Sequence, residues 1–163
     1  MVAATQHKGG EYMSAEYSAN AAQVIPANSS IPFTESPVPC TQGLIYHRDG
    51  SGIFRLVNKF FRQNIINGWR RNTNYVASFH ANISVPTGGT VEAISVAIAV
   101  DGEIDPSSVM TFTPAAVEEA GNVGSEVVVT VPFVCGCSNV SVRNISSQAI
   151  TVQNANLIID QGG

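Results

Sequence analysis

The sequence predicts an all-β protein, a sandwich, jelly roll or barrel of short antiparallel strands, and three observations support this prediction. Apolar and polar residues alternate along several short segments, which is the period of a β-strand. Clusters of Gly, Pro, Asn and Ser separate these segments at regular intervals. No segment of useful length shows the 3.6-residue apolar period of a helix.

The composition limits the function of the chain. Its 163 residues are the length of one ordinary domain with an extra arm. Only 12% of the residues are charged, about half the usual share, and the net charge is −4. The low charge indicates that much of the surface is covered by a homo-oligomer contact or a larger assembly. The alternative is a small neutral β-protein with loops rich in Asn, Ser and Thr.

The sequence also predicts where the protein is made. The first residues, MVAATQHKGGEY, contain no apolar run that could act as a secretion signal. The longest apolar stretch, residues 93–100, is too short to cross a bilayer, so no membrane partner is expected. Three cysteines, Cys40, Cys135 and Cys137, are predicted to be free thiols, and no cofactor or metal is expected. We therefore expect a chain made in a cytoplasm.

The order of elements begins with an arm. Residues 1–22 show no convincing period and predict an extended arm, or a short helix around residues 12–22, that becomes ordered only against a partner. The β-domain is predicted to cover residues 23–163. Four prolines between residues 26 and 39 are typical of edge strands or irregular extended backbone.

The strongest strand signals follow. In Tyr75–Ile83 the odd positions are apolar, and His80 lies on the opposite, more polar face. In the strand predicted over residues 92–100, large residues share one face and small residues occupy the other, which suits close approach of a second sheet or subunit. The large residues are Ile94, Val96, Ile98 and Val100.

The rest of the chain continues the pattern. Strands are predicted over residues 109–113, 126–131, 139–145 and 148–160, and one helical turn over residues 115–120. The total is roughly eight to ten short strands, which is the pattern of a sandwich, jelly roll or barrel.

One segment carries residues typical of catalysis. His47, Asp49 and Ser51 lie within six residues, but working triads collect their members from separated segments. Residues 49–52, Asp-Gly-Ser-Gly, fit a hairpin turn better, because glycine adopts positive φ angles easily. Asp101, Glu103 and Asp105 resemble a Ca²⁺ loop only superficially, and a solvated turn is favoured over weak Ca²⁺ binding. We therefore predict that the chain is not an enzyme.

A basic and aromatic segment spans residues 55–71. Its members are Arg55, Lys59, Arg62, Arg70 and Arg71, with Phe60, Phe61 and Trp69 between them. Such interleaving can hold single-stranded nucleic acid, but in a net acidic chain contact with an acidic protein shell is favoured over nucleic acid. The remaining alternative is a loop whose aromatic residues pack on the domain while its charges face water.

Five segments together support a family resemblance. They are Ile31–Phe33, His47–Phe54, Ala81–Ile83 with Pro86–Val91, Thr113–Glu119, and Gln148–Ile159. This series resembles small proteins encoded by phages and prophages of Gram-positive bacteria. Those proteins resemble the trimeric jelly-roll domain of the bacillus exosporium collagen-like glycoprotein, which is similar to the heads of complement's first component and of tumour necrosis factor (TNF). The resemblance covers about residues 23–160 and departs from the family at residues 1–22 and 57–74.

The resemblance implies an antiparallel, TNF-like jelly-roll sandwich that forms a homotrimer. It implies a virion structural protein, a capsid decoration or head fibre that docks through its arm on the major capsid protein or another virion protein. The alternative is a module of a phage tail or fibre that binds a host-surface glycan or protein through loops near Asp49, residues 101–107 and residues 135–139. An enzyme acting on cell-wall sugars is the least favoured. The candidate anchor and interface residues are Tyr12, Tyr17, Arg62, Trp69, Arg70, Arg71, Ile94, Val96 and Ile98.

Overall fold

A computed structural model describes residues 13–60, 71–134 and 136–161 of the chain. Within these residues, twelve strands form two six-stranded antiparallel sheets, so the all-β prediction is confirmed. The strands are β1 Met13–Ala19, β2 Gln23–Ile25, β3 Glu35–Val38, β4 Ile45–Tyr46, β5 Phe54–Val57, β6 Thr73–Ser84, β7 Ile94–Val100, β8 Glu103–Ile104, β9 Met110–Phe112, β10 Gly121–Val131, β11 Cys137–Asn144 and β12 Ile150–Gln161.

The two sheets have different strand orders. The first sheet runs β10–β6–β12–β1–β3, and β2 also pairs with β12. The second sheet runs β4–β5–β11–β7–β8, and β9 also pairs with β7. The first and last strands are neighbours near the middle of the first sheet, in register from Met13 with Gln161 to Ala19 with Ala155. Strands from the two ends of the chain must therefore meet before this sheet is complete.

The core lies between the inner faces of the two sheets. In β6 the odd positions from Tyr75 to Ile83 are all buried, as the period of two predicts. Phe54 and Leu56 of β5 are fully buried on the opposite side of the core. The ring of Phe33 packs edge-to-face against Phe79, with centroids 6.3 Å apart, a favourable geometry for aromatic pairs.

The predicted arm is corrected for residues 13–22. Met13–Ala19 form β1, which has hydrogen-bonded neighbours on both sides, β12 and β3, so this segment belongs to the domain. The candidate anchor Tyr17 is a core residue that is 3% exposed, with its ring 4.7 Å from the ring of Phe54. The physical reason is the pairing with β12, which buries the alternate positions of a segment that has only a weak apolar period. Residues 1–12 of the arm, including Tyr12, lie outside the described residues.

The interface role expected for β7 is also corrected. The side chains of Ile94, Val96 and Ile98 are fully buried in the core of a single chain. The apolar face of this strand is therefore already covered by the opposite sheet and is not available to a second copy. Ala97 and Ala99, on the other face of β7, are fully buried as well.

The predicted helical turn over residues 115–120 is an irregular turn instead. The backbone N–H of Glu119 donates to the carbonyl of Ala116, and Glu118 has a φ of 69°. β10 follows at once from Gly121 and is five residues longer at its start than the strand predicted from residue 126. Its first half has Gly124 at an outward position, which leaves the alternation hard to detect from sequence.

Asn144 is a buried polar residue that ties the second sheet to the loops beside it. Its side-chain amide donates to the carbonyls of Ile25, Pro26 and Gln148 at 3.0, 3.2 and 3.0 Å. Its side-chain oxygen accepts the backbone N–H of Ser146 at 2.9 Å. Because the residue is fully buried, water cannot replace these partners.

We predict that Asn144→Ala lowers the free energy of unfolding by about 3 kcal/mol, because it leaves several buried backbone groups unpaired. Chemical denaturation followed by fluorescence measures the change. Asn122→Ala is the matched control, since Asn122 is exposed and the change is expected to stay within about 0.5 kcal/mol. Equal losses for the two variants would contradict the role given to Asn144.

We also predict an alkaline decline in stability that depends on Tyr17. Burial, with a smaller contribution from nearby Cys40, raises the pKa of the Tyr17 phenol to about 12. The folded state therefore keeps the phenol neutral, and its contribution to stability is complete below pH 10 and is lost as the pH rises from 10 towards 12. For one such group, the free energy of unfolding falls by at most about 1.4 kcal/mol per pH unit.

Urea denaturation between pH 9 and pH 12 tests this linkage. Tyr17→Phe is expected to flatten the decline without removing it, because burial also raises the pKa of Tyr75. Tyr46→Phe, a matched change at a tyrosine that is 48% exposed, should leave the slope unchanged. The same slope in Tyr17→Phe and in the unsubstituted chain would be evidence against the linkage.

Candidate functional site

The outer face of the first sheet is a regular surface formed by four neighbouring strands. We call it the open face, and it consists of the outward residues of β6, β10, β12 and β1. They are Asn74, Val76, Ser78, His80, Asn82, Asn122, Glu126, Val128, Thr130, Asn156, Ile158, Asp160, Ser14 and Glu16. Most of these side chains are uncharged, and the charged ones are Glu16, Glu126 and Asp160.

An apolar spot lies within the open face. Val128 of β10 is directly opposite Val76 of β6 and is 64% exposed. Ile158 of β12 is opposite Ser78 and therefore diagonal to Val76. Three β-branched side chains on adjacent strands thus form one patch, and cross-strand neighbours at these spacings are close enough for their side chains to touch.

The charges of the open face are all negative. The carboxylate of Glu16 accepts a hydrogen bond from the amide of Asn156 at 2.6 Å, and that of Asp160 accepts one from the hydroxyl of Ser14. None of the six strands of this sheet contains a lysine or an arginine. Each of these two carboxylates is therefore held by a neutral neighbour rather than by a cation.

Several of the described segments begin or end at the same end of the sandwich. Met13, Gln161 and Tyr75 are adjacent across β1, β12 and β6. The hydroxyl of Tyr75 donates to the carbonyl of Val57, at the end of β5 in the other sheet. We call this the basal end. Met13, Phe60 and Arg71, which lie at or near this end, belong to the two regions where the sequence departs from the family it resembles, residues 1–22 and 57–74.

Part of the basic and aromatic segment packs on the basal end. Phe60 is 8% exposed, with the Arg71 guanidinium 4.4 Å and the Lys59 ammonium 5.3 Å from its ring centre. The side-chain amide of Asn58 donates to the carbonyls of Arg71 and Val131. Arg71 itself is exposed, so its cation is accessible at this end. Arg62, Trp69 and Arg70 lie outside the described residues.

A groove of about 490 Å³ lies on the outer face of the second sheet. Its floor is a cross-strand row in which Tyr46 of β4 is opposite Arg55 of β5, and Arg55 is opposite Asn139 of β11. The Arg55 guanidinium lies 5.6 Å from the centre of the Tyr46 ring, within the range of a cation–π contact. The loop between β4 and β5 contributes Arg48 and Ile53 to one wall.

The β4–β5 loop contains a tight turn, at residues 48–51 rather than at the predicted residues 49–52. The N–H of Ser51 donates to the carbonyl of Arg48, and Gly50 has a φ of +91°, which favours glycine. Gly52 fits because a Cβ there would lie 2.8 Å from the Ser30 Cβ and 2.9 Å from the Ile31 oxygen. The loop is therefore held against the domain and fixes the wall of the groove.

His47, Asp49 and Ser51 do not form a nucleophile–base pair. The Nε2 of His47 donates to the backbone carbonyl of Ser51 at 2.9 Å rather than contacting its hydroxyl. The His47 ring stacks on Phe54 with centroids 4.1 Å apart, and its Nδ1 is buried with no hydrogen-bond partner among the described residues. Asp49 accepts from Ser36 instead. The histidine is thus part of the wall that supports the groove.

The acidic turn after β7 has a structural role. The carboxylate of Asp101 accepts the N–H of Asn139 at 2.9 Å, and that of Asp105 accepts the N–H and hydroxyl of Ser107. These hydrogen bonds hold the pKa of Asp105 below its usual value. Within residues 13–60, 71–134 and 136–161, no group of three His, Cys, Asp or Glu side chains could hold a metal ion.

No helix in the described part of the chain is long and apolar enough to span a membrane.

The fold is similar to that of known TNF-like proteins. The structure of Eiger TNF from S. frugiperda matches with a TM-score of 0.64 and 7% sequence identity, over 94% of each chain. Murine APRIL at pH 5.0 matches with a TM-score of 0.61 and 8% identity, over 93% of this chain and 99% of that chain. The TNF-like jelly-roll prediction is therefore confirmed. No protein-family model and no curated protein sequence matches the chain.

The structure brings some residues of the predicted binding loops together and shows two further residues in the groove. Asn139 lines the groove together with the β4–β5 loop, and its N–H donates to Asp101, so residues of three predicted binding loops lie near one another. Sequence reasoning did not find Tyr46 and Ile53, which are 48% and 52% exposed. The sequence gives little indication of an exposed strand residue at Tyr46, because β4 has only two residues and shows no period.

Proposed function

We propose that the chain is a bacteriophage virion structural protein, a capsid decoration or head-fibre subunit that assembles as a homotrimer on the particle surface. The observation that carries the proposal is the open face, a sheet surface with an apolar spot and no lysine or arginine. The resemblance of the sequence to phage-encoded proteins supports the location on a particle. Such a role requires packing, strand hydrogen bonds and a tether, but no catalytic group.

The chemistry of the open face supports the proposal of a homotrimer. Val76, Val128 and Ile158 would leave water when the faces of neighbouring copies meet, and burial of apolar surface favours association. Specific interfaces usually bury more than ~1,000 Å² in total, which a face spanning several strands can provide. The carboxylates of Glu16 and Asp160 already accept hydrogen bonds from neutral partners, which lowers the cost of bringing copies together.

Attachment to the particle is proposed to occur at the basal end. Residues 1–12 precede β1, which begins at this end with Met13, and the exposed Arg71 lies at the same end before β6. An exposed cation suits an acidic protein surface such as a capsid shell. The opposite end and the groove of the second sheet would then face outward.

A second function is favoured by the groove. A surface concavity that combines an exposed tyrosine with arginine and asparagine side chains is typical of sites that recognise polar ligands. The alternative proposal is therefore a module of a phage tail or fibre that binds a host-surface glycan or protein.

We predict that the purified chain has three times the mass of one 17.2 kDa chain in analytical ultracentrifugation at micromolar concentration. Val128→Glu should shift the protein towards the monomer, because it places a charge in the apolar spot of an already acidic face. The matched control is Val109→Glu. Val109 is 44% exposed but lies beside β9 of the second sheet, so this variant should keep the full mass.

Thermal melting of both variants separates loss of assembly from loss of folding. A monomeric unsubstituted chain, or equal dissociation of the two variants, would count against the open face as the contact between copies.

We predict that mass spectrometry of purified phage particles, from the genome that encodes the chain, detects it in multiple copies. Removal of residues 1–12 should leave the trimer intact, because β1 begins at Met13, but should abolish incorporation into particles. Cryo-electron microscopy of the particles then gives the location. Absence of the full-length chain from particles, or normal incorporation of the shortened chain, would refute the attachment proposed here.

A further inference from the structure

We infer that the groove on the second sheet binds an anionic glycan, a sugar that carries a carboxylate or a phosphate group. The inference gives a ligand class to the second function proposed above, and it rests on a surface separate from the open face. Four features carry it: the position of the cations, the exposed apolar side chains, the amide at the end of the row, and the charges around the rim.

The cations are concentrated and accessible. The structure describes five lysines and arginines, and two of them, Arg48 and Arg55, line this groove in a chain whose net charge is −4. Neither guanidinium forms an ion pair with a carboxylate among the described residues. A guanidinium presents a planar set of donors that matches carboxylate and phosphate oxygens. The groove therefore has unused capacity for one anionic group.

The orientation of Arg55 is already constrained. Its guanidinium lies 5.6 Å from the centre of the Tyr46 ring, and its strand position is fixed by pairing on both sides, with β4 and β11. A side chain held in this way loses less conformational entropy when it binds a ligand. Arg48 lies on the rigid turn that precedes β5, next to the hydrogen bond from Ser51.

The apolar part of the groove suits a sugar ring. Tyr46 is 48% exposed and Ile53 is 52% exposed, and both line the groove. A pyranose has apolar C–H faces that pack on aromatic and aliphatic side chains, and hydroxyl groups at its edge that need polar partners. The exposed amide of Asn139 has both donors and an acceptor for these hydroxyls.

The charges at the rim argue against a nucleic acid. Asp49 adjoins Arg48 in the turn, and the Asp101 carboxylate is bound to the N–H of Asn139 at the other end of the row. A strand of nucleic acid needs a continuous basic path for its regularly spaced phosphates. The groove offers two cations between two acids, which fits an isolated anionic group on an otherwise neutral sugar chain.

Assembly would strengthen the binding of a polymer. A trimer presents three copies of the groove, and linked binding events raise the apparent affinity of a polyvalent ligand even when each site is weak. A repeating glycan on a cell surface is such a ligand.

Isothermal titration calorimetry of the full chain tests the inference with three probes: trigalacturonate, a phosphorylated mannose oligosaccharide and neutral maltotriose. We expect binding of one or both anionic probes. The ratio of the two affinities identifies carboxylate or phosphate as the preferred group. Maltotriose should bind at least about tenfold more weakly, because it lacks the charge-assisted hydrogen bonds.

Variants locate the site. Arg48→Gln and Arg55→Gln should each lower the affinity for the anionic probe by about tenfold, which is the loss expected for one charged hydrogen bond. The control is Arg143→Gln, the same change on the outer face of the same sheet, where the guanidinium contacts the carbonyl of Gly102. It should change the affinity by less than about twofold. Tyr46→Ala should weaken binding through loss of the stacking surface.

Several results would overturn the inference: no binding of either anionic probe, equal binding of maltotriose, an equal loss in Arg143→Gln, or tighter binding of single-stranded DNA than of the sugars. Failure of ligand binding can be distinguished from failure of assembly by the variants. Val128→Glu lies outside the groove, so it should keep the affinity per chain, whereas Arg48→Gln and Arg55→Gln should keep the mass of the unsubstituted protein.

Discussion

The pairing of β12 with three other strands is the interaction on which the rest of the structure depends. β12 pairs with β6 along most of its length, with β1 over seven residues and with β2 over three. Because β1 and β12 lie near opposite ends of the sequence, the first sheet closes only when distant segments meet, a topology associated with slow folding. The same pairing brings Met13 and the end of β12 to the basal end and makes the open face continuous across the sheet.

The two sheets divide the chemistry of the surface between them. Strands of the first sheet contain no lysine or arginine, and they expose β-branched and amide side chains together with the carboxylates of Glu16, Glu126 and Asp160. The second sheet contributes Arg55 and Arg143, and beside Arg55 it exposes Tyr46. The first surface suits contact with copies of the same chain, since Val76, Val128 and Ile158 form an exposed apolar patch on it. The second suits a small polar ligand, since Arg48 and Arg55 line a groove together with Tyr46 and Ile53. Assembly and ligand binding would therefore not compete.

Sequence periodicity predicts a strand where large apolar side chains alternate, and it misses a strand where they do not. β6, with nine alternating residues between Tyr75 and Ile83, was recognised because large apolar side chains occupy every second position. β1 was placed in an arm because two of its four inward residues are alanines, whose apolar signal is small. β4 has two residues, so no period exists to detect, and the groove that begins at Tyr46 could not be predicted.

Local backbone preference and the period of two are enough to predict the all-β class, a turn near residues 48–52 and the inward faces of β6 and β7. What covers each face depends instead on how the two sheets pack. Periodicity shows that Ile94, Val96 and Ile98 form an apolar stripe, but not whether the same chain or a second copy buries it. Strand pairing settled this point, because it depends on contacts between residues far apart in sequence.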